Sequence, residues 1–228
     1  MMKKIFLNQW KKAKQKNDNN ILNLCNKDHN AKILDLGCDD GTWTLKLGEK
    51  VNTKNLFGIE INNIAVEIAR NKGINVKKGN LNKKFPFPSN FFDVVHSNQV
   101  IEHLDNPDIF LEEIFRVLKP KGYVIISTEN ISALDNLVSM FLGQQAFSQH
   151  ISSKWHIGNK LSPHYGNKMG LGSWTHKIIF SYFGIQQLIQ KYQFKSIIIK
   201  GAGHFPLPLF FDKIDPIHCH FITVRAMK

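Results

Sequence analysis

The chain has 228 residues, 43% of them hydrophobic, and a formal charge of +12. This length and composition fit one globular domain, and no apolar run is long enough for a membrane-spanning helix. Only three of the 30 basic residues are arginines, so the charge indicates lysines spread over exposed faces and disfavours a nucleic-acid-binding surface, which is usually rich in arginine.

The cysteines and the start of the chain bear on its location. The three cysteines are widely spaced, which favours a reduced, cytoplasmic protein without a disulfide framework. Residues 5–7 are the one apolar stretch near the start, and they are too few for the core of a secretion signal. The densest basic run, residues 3–16, is typical of the exposed face of a helix, so we expect residues 1–30 to form a leading helical segment.

From residue 33 to residue 127, short buried runs alternate with segments of helical periodicity. The buried runs predict strands at residues 33–37, 56–61, 74–77, 91–96 and 123–127. Helices are predicted at residues 42–50, 64–72 and 107–118. Pro107 fits the first turn of the last of these helices, and Pro120 and Gly122 are expected to end it. The alternation predicts a mostly parallel sheet with helices on both faces.

The rest of the chain does not continue this alternation of strands and helices. Residues 131–177 have no clear period, and because long structureless loops are uncommon in compact domains, we expect short helices that cap the carboxyl edge of the sheet. A helix is predicted at residues 180–192, then strands at 195–200 and 221–225, whose helix-free connection favours an antiparallel pair. The predicted fold is a single α/β domain over residues 1–228. It has a doubly wound, Rossmann-like, seven-stranded sheet with an antiparallel last strand, and a substrate cap formed by the insertion.

The segment DLGCDDG, residues 35–41, follows a predicted strand and precedes a predicted helix, the usual place of a nucleotide-binding loop. A dinucleotide fingerprint would need glycines at positions 37, 39 and 42, but the last two are Asp39 and Thr42. The carboxylates of Asp39 and Asp40 would also repel a pyrophosphate. They suit S-adenosylmethionine (SAM), whose sulfonium and ammonium groups are positive, so the loop favours that cofactor.

Glu60 stands at the carboxyl end of the second predicted strand, 19 residues after Gly41. A carboxylate at this place can accept hydrogen bonds from both hydroxyl groups of a ribose, as in other doubly wound nucleotide sites. Taken alone, Glu60 could equally be a surface carboxylate at a strand end. Together with the preceding loop, it favours the ribose interpretation.

Six segments occur in an order and at a spacing that are specific together, although each segment alone is weak. They are ILDLGCDDG (33–41), GIE (58–60), GNL (79–81), FDVV (92–95), VIEHL (100–104) and EIFRVLKPKG (113–122). By these segments the chain resembles the class I SAM-dependent methyltransferases, in particular the broad group of small-molecule enzymes of the ubiquinone-biosynthesis type. The resemblance covers about residues 31 to 130.

The resemblance implies that residues at the carboxyl ends of the strands bind the cofactor. These residues fall into three groups: the loop after the first strand, which holds the amino-acid end of SAM; the residues that contact the ribose and the adenine; and the residues that line the methionine part of SAM near the methyl group. In that order they are Asp35, Gly37, Cys38, Asp39 and Gly41; Glu60, Ile61, Asn80 and Leu81; and Ser97, Asn98 and Gln99. Within this set, Gly37 and Gly41 would let the backbone approach SAM, and Ile61 would pack on the adenine.

Two positions depart from the pattern of the family. Asp39 stands where the family usually has glycine, but aspartate tolerates a left-handed backbone better than most residues, so the turn is expected to persist. Asn80 stands where the family often has aspartate, and its carbonyl oxygen can still accept from the adenine amino group, without a charge. We expect neither departure to disable cofactor binding, although both could weaken it.

The residues that handle the methyl acceptor are less well defined. A hydroxyl acceptor can need a general base, and the candidates are His103, His150, His156, His164 and His176. His103 follows the fourth predicted strand, at the edge where ligands bind, and is our candidate catalytic residue, although a histidine packed beneath the site fits equally well. The insertion mixes polar residues with aromatic ones, which fits an amphipathic organic acceptor or a sugar. These aromatic residues are Phe141, Phe147, Trp155, Tyr165 and Trp174.

Several acceptors and a metal site lack support in the sequence. Residues 96–99, HSNQ, contain no proline, unlike the matching segment of adenine and amide methyltransferases, and no cysteine is placed as in cytosine-C5 enzymes. A metal-dependent catechol-type site has no specific support. His218 and His220 flank Cys219, but in a strand they would face away from it, so we interpret this triplet as structural and predict no metal site.

The sequence therefore predicts an enzyme that moves a methyl group from SAM, leaving S-adenosylhomocysteine, to a small-molecule, glycan or lipid-linked acceptor, preferably at a hydroxyl oxygen. Two alternatives stay open. The net charge suggests an RNA methyltransferase, and the departures at Asp39 and Asn80 suggest a non-catalytic protein of the same fold. We expect no nucleic-acid partner and no membrane span, and the pattern leaves the oligomeric state undefined.

Overall fold

The computed structural model describes residues 2–170 and 175–228 of the chain. Its strands are β1 (Ile33–Leu36), β2 (Leu56–Glu60), β3 (Asn75–Lys78), β4 (Phe92–Asn98), β5 (Leu118–Glu129), β6 (Lys195–Ala202) and β7 (Phe221–Met227). Its helices are α1 (Met2–Asn23), α2 (Thr42–Val51), α3 (Asn63–Asn71), α4 (Pro107–Val117), α5 (Leu134–Phe141) and α6 (Tyr182–Lys191), with 3₁₀ turns at Ile101–His103 and Leu209–Lys213. Among the helices of these residues, none has the length and apolar character needed to cross a membrane.

The seven strands pair in one sheet, in the order β3-β2-β1-β4-β5-β7-β6. The pairs among β1 to β5 are parallel, whereas β7 lies antiparallel between β5 and β6. The strand order reverses between β1 and β4, and in such sheets a ligand crevice opens at the carboxyl ends of the strands on either side of the reversal. The doubly wound fold predicted from the sequence, with its antiparallel last strand, is confirmed.

Helices cover both faces of the sheet, so both faces are buried. Side chains alternate along each strand and therefore contribute to the core on each face. In β1, Leu34 and Leu36 belong to the core cluster that includes α4 and α6, whereas Ile33 belongs to the cluster that includes α2 and α3. The remaining residue of this strand, Asp35, is only 2% exposed. A buried carboxylate needs hydrogen-bond partners, and those partners define part of the site described below.

The junction of α4 and β5 differs from the sequence prediction. The helix ends at Val117 and the strand begins at the next residue, so Pro120 and Gly122 lie inside the strand and not in a turn before it. The pairing of this strand with β4 shifts register between Phe92 and Val94. Such an irregularity is where a strand accommodates a proline, which cannot donate a ladder hydrogen bond.

Helix α1 lies across β5, β6 and β7, held by amide side chains on one face. The buried Asn17 donates to Ser127 Oγ and accepts from Thr223 Oγ1, both at 2.8 Å. Asn20, one turn later, donates to the carbonyl oxygen of Gly201 at 3.1 Å. These contacts fix the leading helix beside the last residues of β5.

Residues 131–170 contain one helix, α5, and otherwise turns and an isolated bridge, where the sequence suggested several short helices. Amide side chains hold the turns together. Asn136 donates to the carbonyl oxygen of Asn130 at 2.8 Å, and Asn159 donates to that of Gln145 at 2.7 Å. Because side chains supply these bonds, the segment is ordered without the regular periodicity that a helix would leave in the sequence.

Candidate cofactor and acceptor site

The loop from β1 to α2 has a left-handed backbone at three alternate residues. The φ angles are 72° at Gly37, 47° at Asp39 and 77° at Gly41. Of the three, only Asp39 carries a side chain, and aspartate accepts this conformation more readily than most residues. The turn therefore forms although glycine is missing from its centre.

Packing requires the two glycines of this loop as much as their φ angles do. A Cβ on Gly37 would lie 2.7 Å from Val100 Cγ2, and a Cβ on Gly41 would lie 2.4 Å from Ile74 Cδ1. The resemblance implies that these glycines let a cofactor approach the backbone. In this structure, side chains just after β4 and just before β3 make that close approach.

Glu60, at the end of β2, holds the loop through its carboxylate. Oε1 accepts from the N–H groups of Ile61 at 2.7 Å and Asn62 at 2.8 Å, and Oε2 accepts from that of Asp39 at 3.1 Å. A carboxylate offers about four acceptor positions, so about one of them remains available, on Oε2. Glu60 can thus accept one further hydrogen bond without losing an existing one, where the ribose interpretation assumed two.

Asp35 lies in a chain of hydrogen bonds that links β1, β4 and α2. Its Oδ2 accepts from Thr44 Oγ1 at 2.6 Å, and its Oδ1 lies 2.7 Å from His96 Nδ1. Trp43 Nε1, which can only donate, lies 3.2 Å from the other ring nitrogen of His96. The imidazole therefore carries its proton on Nδ1 and donates it to Asp35. His96 is not among the predicted site residues, but its register opposite Asp35 in the parallel pair would have revealed it.

The two acidic residues of the loop differ in how their charges are balanced. Asp40 accepts from Lys72 Nζ and Thr42 Oγ1 at 2.8 Å each, and the lysine contact is the main cause that lowers the pKa of this carboxyl to about 2. Asp39 is exposed and has no ion pair with any residue of 2–170 or 175–228. The attraction for a cationic cofactor that two carboxylates suggested therefore rests on Asp39 alone.

A cleft of about 220 Å³ opens at the carboxyl ends of β1 and β4. Asn98 lines it, and within the described chain both its Oδ1 and the Oγ of the preceding Ser97 are buried without a hydrogen-bond partner. A buried polar atom without a partner costs about 1–3 kcal/mol, so Asn98 Oδ1, which belongs to a residue of the cleft lining, points to a ligand group. The lining residues are Asp35, Gly37, Cys38, Asp39, Asp40, Thr42, Trp43, Lys46, His96 and Asn98.

The residues predicted to contact the adenine differ in accessibility. Ile61 is 45% exposed, as an apolar platform for a base would be, whereas Leu81 is buried in the main core. Asn80 is exposed, but its Oδ1 already accepts from the N–H of Asn82 at 2.9 Å. One lone pair of that oxygen remains for the adenine amino group.

Two further predicted cofactor residues are held by their neighbours. The thiol of Cys38 is packed against Gly58, and burial raises its pKa well above the ordinary value. Gln99 has a φ angle of 56° and donates its N–H to the carbonyl oxygen of Ser127 at 2.8 Å. The side chain of Cys38 thus belongs to the core, and the backbone of Gln99 joins β4 to β5.

Residues 9–196 match the family model described as a methyltransferase domain. The chain belongs to this family. The mitochondrial ubiquinone biosynthesis O-methyltransferase of Dictyostelium discoideum is 29% identical over 128 residues, which are 50% of this chain and 39% of that protein. The ubiquinone/menaquinone biosynthesis C-methyltransferase of Vibrio campbellii is 30% identical over 131 residues, 54% of this chain and 49% of that protein. The matched part is thus less than half of each of these curated relatives.

The architecture also resembles that of solved methyltransferases. A SAM-dependent methyltransferase from Mesorhizobium loti aligns with a TM-score of 0.63 at 14% identity, covering 91% of this chain and 95% of that one. The sequence predicted SAM as the cofactor, and this neighbour is named as a SAM-dependent methyltransferase. The cleft and the adjoining loop fit the groups of SAM: in the cleft Lys46 offers a cation for a carboxylate and Asp39 an anion for an ammonium group, and Glu60, bonded to the N–H of Asp39, offers an acceptor for a ribose hydroxyl.

Beyond the ends of β4 and β5, three acids and an imidazole are buried beside α5. Glu102 Oε2 accepts from Thr128 Oγ1 at 2.9 Å, and burial raises the pKa of this carboxyl to about 8. Glu129 behaves in the opposite way: burial opposes its ionisation, but the imidazole of His220, 3.8 Å from its Oε1, lowers its pKa to about 2. Burial likewise works against protonation of His220, yet Asp135 and Glu129 raise its pKa to about 10.

The five histidines considered from the sequence form a line of ring contacts on this side. Neighbouring ring centroids lie 4.9 to 5.8 Å apart, in the order His103, His176, His150, His156 and His164. His103 Nδ1 lies 3.3 Å from the carbonyl oxygen of Thr175, so it carries the proton and leaves a lone pair on Nε2. Burial lowers the pKa of His103, which keeps the imidazole neutral, as a general base must be.

The triplet 218–220 lies before β7 and not within it, so the alternation expected of a strand does not apply. His218 Nδ1 lies 2.7 Å from Asp215 Oδ2, while His220 Nδ1 lies 2.9 Å from Asp135 Oδ2. Cys219 is buried between them in sequence, with its thiol 3.5 Å from the carbonyl oxygen of Asp215. The two histidines therefore bind different carboxylates and do not converge on one point.

Proposed function

We propose that this chain is a SAM-dependent methyltransferase that methylates a hydroxyl oxygen of a small-molecule, glycan or lipid-linked acceptor. The observation that carries the proposal is the neutral imidazole of His103, with its Nε2 lone pair available, just after the strand whose end lines the cofactor cleft. When bound, SAM supplies a methyl group on a positive sulfur, so the acceptor oxygen exchanges its proton for that methyl and S-adenosylhomocysteine remains. We assign the removal of the proton to His103.

On the cofactor side, we assign binding to the twelve residues predicted from the sequence, with two refinements. Asp35 acts through the loop, because both of its oxygens already accept from Thr44 and His96. Glu60 accepts one ribose hydroxyl on Oε2. Ser97 and Asn98 then provide the unpaired polar atoms on the methionine side.

The insertion supports an amphipathic acceptor. Phe141 is 91% exposed, and Leu142, Trp155 and Tyr165 are exposed as well. Large apolar side chains exposed to water are available to contact the apolar part of such an acceptor. Trp174, which the sequence placed in the same set, lies outside the described residues.

An RNA acceptor is disfavoured because each arginine is engaged within the protein. Arg70 pairs with Glu67, Arg116 pairs with Glu113, and the guanidinium of Arg225 lies 4.2 Å from the centroid of a tyrosine ring. Bidentate contacts to bases or phosphates would have to break these interactions. The three cysteines are free and buried, which agrees with the reduced, cytoplasmic location we propose.

The test begins with calorimetric titration of SAM into the purified chain, since a non-catalytic protein of this fold that lacks the cofactor would give no heat. Hydroxylated phenols, sugars and lipid-linked precursors are then offered alongside amines, and methylated products are identified by mass spectrometry. We expect transfer to oxygen, reduced about 10²- to 10⁴-fold in kcat by His103→Asn, with no change for the exposed control His29→Asn. Transfer to nitrogen alone would contradict the proposal.

A further inference from the structure

Glu102, His103 and His176 lie close enough together to share a ligand. Each offers one possible ligand atom, and these three atoms lie within 4.8 Å of one another. Metal–ligand bonds of about 2.0–2.2 Å hold neighbouring donor atoms about 3–4 Å apart, so small side-chain adjustments would bring the three onto one ion. We refer to these residues as the Glu102 group.

Both imidazoles of the Glu102 group are oriented as metal-binding histidines are. His103 Nδ1 lies 3.3 Å from the carbonyl oxygen of Thr175, and His176 Nδ1 lies 2.5 Å from that of Ser148. A carbonyl oxygen only accepts, so each Nδ1 carries the proton and each Nε2 presents a lone pair. Metal-ligating histidines usually donate their second N–H to a partner of this kind, which fixes the ring for binding.

Glu102 supplies an oxygen ligand that has no partner among the described residues. The residue is 0% exposed, its Oε2 is bonded to Thr128, and its Oε1 is buried without a partner within the described chain. Lys177, the lysine next to the group in sequence, directs its ammonium group to Asp105 instead. A buried carboxylate oxygen that has neither a donor nor a cation is the feature that points to a missing ligand.

A second set of possible ligands, His204, Asp212 and Cys219, also has a carboxylate oxygen, Asp212 Oδ1, that is buried without a hydrogen-bond partner in the described residues, but a protein cation lies beside its other oxygen. Asp212 Oδ2 lies 2.6 Å from Lys16 Nζ and also accepts from the N–H of Gly203 at 3.0 Å. An ammonium group from the protein thus already balances this carboxylate. Lys177, the lysine next to the Glu102 group in sequence, pairs with Asp105, so the Glu102 group is the better candidate for an ion site.

We propose that the Glu102 group binds one divalent transition-metal ion, such as Mn²⁺ or Zn²⁺, on the acceptor side of the site. Two imidazoles and a carboxylate suit these borderline cations, whereas Mg²⁺ prefers oxygen ligands. Three protein ligands leave coordination positions open, and these suit an acceptor that offers two neighbouring oxygens, such as a vicinal diol or a catechol. This last step rests on the proposed transfer of a methyl group from SAM to oxygen, but it replaces the base role assigned to His103, because the ion would occupy the Nε2 lone pair.

The test uses the full chain, stripped of metal with EDTA and titrated separately with Mn²⁺, Zn²⁺ and Mg²⁺ by calorimetry. We expect one Mn²⁺ or Zn²⁺ ion per chain and binding of Mg²⁺ that is at least about tenfold weaker. Glu102→Gln and His176→Asn should each lower the affinity by at least about tenfold, whereas His29→Asn, at an exposed histidine of the turn before β1, should not change it. Circular dichroism verifies that each variant is folded. If Glu102→Gln does not fold, the affinity of His176→Asn decides the test.

Three results would overturn the proposal. They are less than one ion per chain in the wild type, equal affinity in the wild type and in both Glu102-group variants, and a loss of binding confined to Cys219→Ser, which would assign the ion to the second set. SAM binding is measured on the same samples. A chain that binds SAM but no metal removes the metal proposal and leaves the proposed function standing.

Discussion

The cofactor cleft and the cluster of Glu102, Glu129, Asp135 and His220, which we propose faces the acceptor and call the acceptor side, lie at the same edge of the sheet. The contacts in these two regions join residues that are separated by different distances along the chain. In the cleft, Glu60 bonds to Asp39, 21 residues away, across two adjacent strands. On the acceptor side, His220 bonds to Asp135, 85 residues away, across β5 and the start of α5. A site built from the ends of neighbouring strands follows from the order of the strands, whereas a site built under an insertion depends on how that insertion folds.

The two regions also differ in how they manage charge. In the cleft, the charge of Asp40 is balanced by a single partner of its own, Lys72. On the acceptor side, Asp135 and Glu129 lie against the two different ring nitrogens of His220, at 2.9 Å and 3.8 Å, so the charges of these three groups depend on one another. Substitutions in the cleft should therefore act locally, and pH should act mainly on the acceptor side.

The largest effect should come from Asp35→Ala, which tests whether the cleft is held in place by its own hydrogen bonds. The change leaves His96 Nδ1 and the Thr44 hydroxyl without their buried acceptor, so the free energy of unfolding in urea should fall by about 3–5 kcal/mol. Asp35→Asn retains an acceptor for His96 and should lose less than half as much. The exposed control Asp28→Ala should stay within about 0.5 kcal/mol, and a similarly small loss for Asp35→Ala would mean that the cleft is held by other contacts.

Glu60→Ala should act on cofactor affinity more than on stability. Its backbone partners are exposed and can bond to water, but a charged acceptor for the ribose is lost, so the Kd for SAM should rise about 10- to 150-fold. Calorimetric titration measures the change, with Glu67→Ala on an exposed part of α3 as the matched control. Unchanged affinity would remove the ribose assignment.

On the acceptor side, stability should depend on pH through His220. Asp135 and Glu129 raise its pKa from an ordinary 6.5 to about 10, so the protonated imidazole stabilises the fold fully below about pH 6.5, and this contribution disappears as the pH rises through 10. Relative to His220→Gln, the wild type should lose at least about 1.4 kcal/mol of unfolding free energy between pH 6.5 and pH 10. Urea unfolding at several pH values measures the difference, and a constant difference would show that His220 is not charged in the fold.

The smallest effect should come from Asp39→Gly, which restores the glycine typical of the family. Glycine relieves the left-handed backbone but makes the unfolded chain more flexible, so the free energy of unfolding should change by less than about 1 kcal/mol. The Kd for SAM should change less than about threefold if the loop binds through its backbone. A loss of more than tenfold, beyond that of an Asp39→Asn control, would identify the carboxylate itself as a ligand.

Much of the fold and the cofactor cleft could be predicted because the signals are local. The loop that contains Gly37 and Gly41, and the carboxylate of Glu60, each stand directly after a buried apolar run. The strand order confirmed by the structure then brings those strand ends together. The cofactor followed from the same ordered segments.

The acceptor side could not be predicted in this way. Glu102 and His176 are separated by more than seventy residues, and the intervening cap has no periodicity that would reveal its path. His96 was hidden for a different reason, because in a fully buried strand a polar residue interrupts the apolar run without indicating its partner. The position of Pro120 inside β5 depended on a register shift, which no local pattern records.

The packing around Gly41 has a consequence for reading the sequences of relatives. Ile74 and Ala69 press on the position of its absent Cβ, at 2.4 Å and 3.0 Å, so selection for a stable fold alone would preserve this glycine in a descendant that no longer bound any cofactor. The partnerless oxygens of Ser97 and Asn98 are the opposite case, because without a ligand they only destabilise the fold. In a degenerate member of the family those two positions should drift toward apolar residues first, while the glycine loop still appears intact.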